Sequence, residues 1–204
     1  MTSQTRSLIP DFVSHYYLPG TRPFLNLSEL SAEERPGVLL ALDKRRVAGE
    51  HKRVFGSRYM DLRRRAEARL LELFEQAGGR PERTAPHYFV LGESAWYRGL
   101  APGMQAAVLP LSELPSIVTS FTYPDSFTAT GLVADFGLPY ESRPYHHRAF
   151  RIEELPEVVG LYGLPPEEPA PVYEGYERHA FEKYIEVQVW SDAPIQRFLR
   201  PARV

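Results

Sequence analysis

The segment with the richest chemistry lies near the C-terminus, over residues Lys183–Trp190 (KYIEVQVW). Successive side chains of a strand point to opposite faces. One face is apolar and consists of Ile185, Val187 and Val189. The other face is mixed and consists of Tyr184, Glu186, Gln188 and Trp190. Such a mixed face is typical either of a solvated side of an antiparallel sheet or of the wall of a ligand cleft, where Gln188 and Trp190 would bind the ligand and Glu186 would stabilise positive charge. Both interpretations stay open at this point.

Three earlier segments hold residues that could share a cleft with that strand. His87 begins a β-prone run after Pro86, and Trp96 lies in the short aromatic connection 92–100. Ser120 and Tyr123 belong to Ser120–Phe127, which alternates hydroxyl and aromatic side chains before a turn. Each of these residues also has a purely structural interpretation, as a core ring, a hydrogen-bonded histidine or a strand hydroxyl.

The elements that must position these residues can be predicted from periodicity. Residues 58–77 have apolar side chains at helical spacing and end at Gly78-Gly79, which predicts a helix. Ser31 and Glu34 have capping-box spacing for an earlier helix. The β-prone runs are 87–91, 106–111, 117–123, 145–152 and 183–190. We therefore expect one α+β domain over 1–204, with a mainly helical part at 1–80 and a mixed or antiparallel sheet of about five strands within 86–190.

Composition removes several classes of protein. The chain has 204 residues, 43% of them hydrophobic, which suits one globular domain. It has no cysteine, which excludes disulfides, thiolate metal sites and a cysteine nucleophile. No apolar run reaches the ~20 residues of a membrane span, and the first ten residues lack a signal-peptide core. We expect a soluble, cytoplasmic protein with no membrane contact.

Metal and hydrolase chemistries have little support in the sequence. The six histidines contain no pair at the i,i+4 spacing of a helical zinc site. His146 and His147 are adjacent and would point to opposite faces of a strand. Serine-hydrolase elbows and phosphate-binding glycine loops are also missing from the sequence. We therefore expect no metal site.

The charge distribution suggests a different kind of partner. Residues 44–83 contain 12 Lys+Arg and 6 Asp+Glu, a local charge of +6. Arg63, Arg64 and Arg65 lie together on the helix predicted at 58–77 and could follow a nucleic-acid backbone. The same arginines could instead pair with Glu67 and Glu72 on a solvated helix face. A non-catalytic module that binds nucleic acid, or another protein, is the alternative to an enzyme.

Nearly the whole chain resembles a family of bacterial proteins of uncharacterised function that are often labelled group-specific proteins. The resemblance supports a single domain and implies no activity. The segments that carry it are 12–17, 24–28, 86–92 with Trp96, 120–127, 162–165 and 184–194.

A second resemblance does imply chemistry. The order His87, Tyr123, Glu186 is similar to the His-Tyr-Glu pattern of ADP-ribosyltransferases. In that family a histidine orients the NAD ribose, a tyrosine stacks on nicotinamide, and a glutamate stabilises the oxocarbenium-like transition state, which the resemblance implies for these three residues. The family often has Gln or Glu two positions before that glutamate, where this chain has Tyr184. The sequence-based hypothesis is thus a nucleotide-handling enzyme with NAD as its substrate, with Ser120 and Trp96 beside the site and the oligomeric state open.

Overall fold

The computed structural model describes residues 9–55, 57–166, 175, 178 and 180–199. Within them the strands are β1 (Phe12–Tyr17), β2 (His87–Leu91), β3 (Gln105–Pro110), β4 (Thr119–Thr122), β5 (Phe150–Arg151) and β6 (Glu186–Val189). The α-helices are α1 (Glu34–Val47), α2 (Ser57–Gln76), α3 (Ala95–Arg98), α4 (Ser126–Ala129), α5 (Leu155–Tyr162) and α6 (Gln196–Leu199). Short 3-10 turns connect several of these elements.

The six strands form one sheet in the order β3-β1-β2-β6-β4-β5, and every neighbouring pair is antiparallel. This confirms the α+β class. The part predicted to be mainly helical, 1–80, contains α1 and α2 and also contributes one strand to the sheet, β1, which the sequence did not predict. Phe12–Tyr17 is rich in aromatic and β-branched residues, which favour a strand. The strand predicted at 145–152 is only two residues long, because residues 144–147 form a turn with His147 at φ +57°.

The two faces of the sheet are covered differently. The apolar face predicted for the last strand is confirmed, since Ile185, Val187 and Val189 are at most 1% exposed in the main core. Helix α5 contributes three residues to this core: Leu155, Val158 and Val159. The opposite face is covered by α2, where Phe74 stacks on Trp190 with 6.0 Å between ring centroids.

Helix α2 covers the sheet because its sequence is amphipathic. The buried stripe recurs every three or four residues and consists of Leu62, Ala66, Leu70, Leu73 and Phe74. Gly78 ends the helix in the left-handed region at φ +85°. Gly79 then passes so close to Phe74 that a Cβ there would lie 2.4 Å from the ring. The chain can therefore leave the helix only through a residue without a side chain.

The sheet opens between two of its central strands. β1 and β2 separate after two register pairs, the second of which joins Ser14 to Val90. β1 continues beside β3 to Tyr17, while β2 stays paired with β6 down to His87. Residues of the segment 18–27 line a cleft at this gap, together with residues of β1 and β2.

Candidate functional site

The mixed face of β6 is buried and not solvated. Glu186 is 4% exposed, and Gln188 and Trp190 are fully buried beneath α2. The interpretation of this face as a solvated flank was therefore wrong. The face is buried because the apolar side of α2 packs on it. The sequence predicted this helix but not its position over β6.

Three of the residues predicted to bind a ligand instead bind one another. The Trp190 Nε1 donates to Ser120 Oγ at 2.8 Å, and Ser120 Oγ donates to Gln188 Oε1 at 3.0 Å. The Gln188 amide nitrogen lies 3.1 Å from Thr122 Oγ1 and 3.3 Å from Glu186 Oε1. None of Trp190, Ser120 and Gln188 lines the cleft in the described part of the chain. Their observed role is to satisfy buried polar atoms between β4 and β6.

Glu186 differs from its neighbours because it does line the cleft. Its main chain is fixed by the donation of its N–H to the carbonyl of Pro124 at 3.1 Å. Behind it, Asp125 caps α4 by accepting from the N–H groups of Phe127 and Thr128. Burial, followed by the charge of Glu186, raises the pKa of Asp125 to about 6. A second carboxyl group therefore stands behind the one that faces the cleft.

His87 lies on the opposite face of the sheet from Glu186. It pairs with Val189, three residues and thus roughly 10 Å along β6 from Glu186. Its ring touches the cleft where the sheet opens, but Nε2 donates to Asp192 Oδ1 at 2.7 Å, and the edge of Phe24 packs against it. Burial lowers the pKa of His87, so the imidazole is neutral at pH 7.

Tyr123 is also turned away from Glu186. Its ring belongs to the main core, 4.6 Å from the ring of Tyr145, and its hydroxyl donates to the carbonyl of Tyr162. The spatial arrangement implied by the ADP-ribosyltransferase pattern, with His87, Tyr123 and Glu186 on one ligand, is not formed. Side chains alternate between the two faces along each strand, and His87 and Tyr123 fall on the face opposite to that of Glu186.

Trp96 lies beside the site but does not line it in the described residues. Its ring packs edge-on against Phe181 at 5.2 Å. The next residue, Tyr97, lines the cleft instead and stacks on Tyr16 at 5.4 Å. Burial raises the pKa of Tyr97, and the charge of Glu186 raises it further, so its hydroxyl stays protonated.

The basic helix does not present its three adjacent arginines together. The Arg63 guanidinium is inside, 3.7 Å from the ring centroid of Tyr88, with Nη1 2.9 Å from Ser126 Oγ. Arg64 and Arg65 are exposed, and Arg65 pairs with Asp135 at 3.0 Å. Arg63 therefore does not share an exposed face with Arg64 and Arg65, because positions 63 and 64 point about 100° apart around a helix; binding of nucleic acid through these arginines stays a prediction.

The cleft itself has a volume of about 160 Å³. Its charged side chains are Arg22, Arg53, Arg63 and Glu186, and its rings include Phe55, Tyr59, Tyr88 and Tyr97. Arg53 lies 4.8 Å above the ring of Phe55 and 5.9 Å from that of Tyr97. Among the described residues no carboxylate forms an ion pair with Arg53. The cleft therefore has a net positive lining, with a single carboxylate at its inner wall.

Sequence reasoning did not assign Arg53, Tyr97 and His15 to this cleft, although all three line it. Tyr97 and His15 stood in aromatic-rich segments that could have drawn attention to them. Arg53 belongs to the basic stretch 44–83, but its place in the cleft comes from the fold, which brings the segment between α1 and α2 against β1 and β2.

Comparisons with known proteins add no family to this description. No protein-family model matches the chain, and no curated protein or solved structure is significantly similar to it. The described residues contain no cluster of acidic and histidine side chains that could hold a metal ion, and no helix among them is long and apolar enough to cross a bilayer. The candidate site therefore rests on geometry alone.

Proposed function

We propose that the protein binds a small nucleotide-class ligand, a planar ring joined to an anionic group, in the cleft between β1 and β2. The observation that carries this proposal is Arg53, a cation without a carboxylate partner among the described residues, placed over the rings of Phe55 and Tyr97. Arginine on an aromatic wall suits both halves of such a ligand, because it pairs with phosphate and stacks on flat rings.

The electrostatics of the lining favour an anion. Arg22 and Arg53 lie on the cleft wall and Arg63 at its base, against Glu186 alone. Arg63 is already engaged with Tyr88 and Ser126, so Arg53 and Arg22 are the cations available to a ligand. In a partly desolvated site, such charges act more strongly than in water.

The volume limits the size of the ligand. At about 160 Å³ the cleft is smaller than the ~300 Å³ at the lower end of drug-sized pockets. It accommodates one ring with a substituent, such as the nicotinamide part of NAD or the base of a mononucleotide. The remainder of a dinucleotide would lie outside, along the exposed side chain of Arg22.

Glu186 supplies the polar contact at the inner wall. Its carboxylate can accept hydrogen bonds from a ring amide or a sugar hydroxyl. If the ligand is NAD, the same carboxylate is of the type that stabilises positive charge at a breaking nicotinamide–ribose bond. This enzymatic form of the proposal uses Glu186 without His87 and Tyr123.

Calorimetric titration tests the binding proposal. We expect AMP, nicotinamide mononucleotide or NAD to bind with a Kd in the micromolar to millimolar range, about −8 to −4 kcal/mol. Arg53→Gln and Glu186→Gln should each weaken binding by about tenfold or more, because each removes one charge-assisted contact. Arg64→Gln is the matched control, since this exposed arginine lies outside the cleft. Binding that survives both cleft variants, or no binding by the wild type, would refute the proposal.

The enzymatic form has its own test. Release of nicotinamide from NAD should be measurable with the wild type and lost in Glu186→Gln, while the control keeps its activity. If NAD binds but no nicotinamide is released, the protein only binds the nucleotide, and Glu186 has no catalytic role.

A further inference from the structure

His15 occupies the point where β1 and β2 part. Its Nδ1 donates to the main-chain carbonyl of Tyr88 in β2 at 2.8 Å. Its Nε2 accepts from the main-chain N–H of Phe24 at 2.9 Å. One neutral imidazole therefore bridges β1, β2 and the segment that lies over the cleft.

The register shows what this imidazole replaces. The pairs Val13–Leu91 and Ser14–Val90 would be followed, in a continued antiparallel ladder, by His15–Phe89 and Tyr16–Tyr88. Neither pair forms, although both segments are described throughout. The carbonyl of Tyr88, which would face Tyr16 in that ladder, accepts from the His15 side chain instead.

The second bond of the imidazole holds the cover of the cleft. Phe24 has φ +60°, a left-handed conformation that a bulky residue adopts only when its surroundings impose it. Its N–H is bound by His15, and its ring stacks on the imidazole with 4.1 Å between centroids. Phe24 also packs against Phe89 and Phe198, which anchors the segment to the core.

We infer that His15 is a positioning residue that keeps β1 and β2 apart and thereby forms the cleft. Its consequence for ligand binding rests on the function proposed above, whereas the separation of the strands does not. Each unpaired main-chain group in the interior is unfavourable, so we expect β1 and β2 to continue their pairing when this bridge is removed. One bond of the imidazole replaces the main-chain bond that Tyr16 would donate to Tyr88, and the other holds Phe24 over the gap, which leaves room for a ligand.

The test compares His15→Val with His15→Gln. Valine favours strands and cannot bridge, so the ladder should extend and hydrogen exchange of the Tyr88 amide should slow by about tenfold or more. Binding of AMP, or of whichever nucleotide the wild type binds best, should weaken by about tenfold or more. Glutamine keeps one donor and one acceptor, so both quantities should stay within about threefold of the wild type.

Each outcome bears on a separate claim. Unchanged Tyr88 exchange and unchanged affinity in His15→Val would overturn the inference. If the wild type binds none of the nucleotides, the proposed function fails, and amide exchange alone still decides the role of His15. Should His15→Val not fold, His15→Ala removes the same two bonds with the same expected results. A closed ladder in His15→Gln would also overturn the inference, because the bridging groups are retained.

Discussion

Glu186 shows how a carboxylate can be kept inside this fold. A buried charge needs a partner or hydrogen bonds, since desolvation penalises it strongly. Glu186 is among the groups that raise the pKa of Arg63. The Gln188 amide nitrogen lies 3.3 Å from Glu186 Oε1. The hydroxyls of Tyr97 and Tyr184 lie 3.2 Å apart beside them. This arrangement holds the carboxyl group in place at the cleft wall.

The polar chain on β4 and β6 makes the first prediction at this scale. Gln188→Met removes the acceptor of the Ser120 hydroxyl and the donor to Thr122 Oγ1 in a fully buried environment. We expect the free energy of unfolding to fall by about 1–3 kcal/mol, which is typical of a buried hydrogen-bonding group left unsatisfied. Urea unfolding measures it. Gln105→Met, on the exposed end of β3, is the control and should change stability by at most about 0.5 kcal/mol. Equal stability of the two variants would contradict the structural role of this chain.

His15 makes the second prediction, on the dependence of stability on pH. Burial lowers its pKa from 6.5 to about 4, opposed by the Tyr88 hydrogen bond and assisted by His87 and Arg53. Between these values the unfolded chain binds a proton that the folded chain does not, so stability falls as pH drops from 6.5 to 4. The full shift corresponds to about 3 kcal/mol in the free energy of unfolding. Because the ring is partly exposed, we expect the loss of stability to be about 2 kcal/mol.

His15→Gln isolates this contribution, because glutamine does not titrate and the shifts of other groups cancel in the comparison. Asp125 in particular has a raised pKa and acts with the opposite sign, stabilising the fold as pH falls below about 6. Urea unfolding of both proteins at pH 7 and pH 4.5 measures the difference. A wild type and variant that lose the same stability on acidification would show that His15 does not titrate as its burial implies.

At the scale of elements, the parts predictable from sequence were those with a local signal. Periodicity gave α2 within one residue and the alternation of β6, and the capping box of Ser31 and Glu34 forms with both bonds at 3.1 Å. The position of β1 between β3 and β2 has no local signal, because pairing of distant strands is set by the packing of the whole sheet. The gap beside β1 depends on His15 reaching Tyr88, 73 residues away, and sequence spacing does not encode such a contact.

The end of α2 and the start of α1 provide a matched pair of glycines. A Cβ at Gly79 would lie 2.4 Å from the buried ring of Phe74, whereas a Cβ at Gly37 in α1 meets nothing within 4 Å. We expect Gly79→Ala to destabilise the fold by about 1–3 kcal/mol through overpacking. Gly37→Ala should stabilise it by about 0.5–1 kcal/mol through helix propensity. Thermal unfolding of both variants measures the contrast, and a loss of stability in Gly37→Ala or none in Gly79→Ala would show that these contacts are misplaced.

For the whole molecule, the excess of positive charge at 44–83 is largely used within the fold. Arg63 is buried against Tyr88. Further arginines of this stretch have acidic partners within 3.0 Å: Arg45 with Glu50, Arg46 with Asp43, Arg65 with Asp135, Arg69 with Glu72, and Arg83 with Glu29 and Asp192. A local charge of +6 therefore does not make a free cationic surface of the same size.

The fourth prediction follows from that distribution. Nucleic-acid affinity depends on how many phosphates a protein neutralises and falls steeply with salt. Since most arginines of this region are paired or buried, we expect a Kd for a labelled single-stranded oligonucleotide of about 10⁻⁴ M or weaker at about 0.15 M salt. Fluorescence anisotropy across a salt series measures it. The double variant Arg64→Gln, Arg65→Gln removes the two exposed members of the cluster. Submicromolar affinity in the wild type that is lost in this variant would identify nucleic acid as the partner. The exposed basic side of α2 would then be a binding face, on which phosphates compete with Asp135 for Arg65.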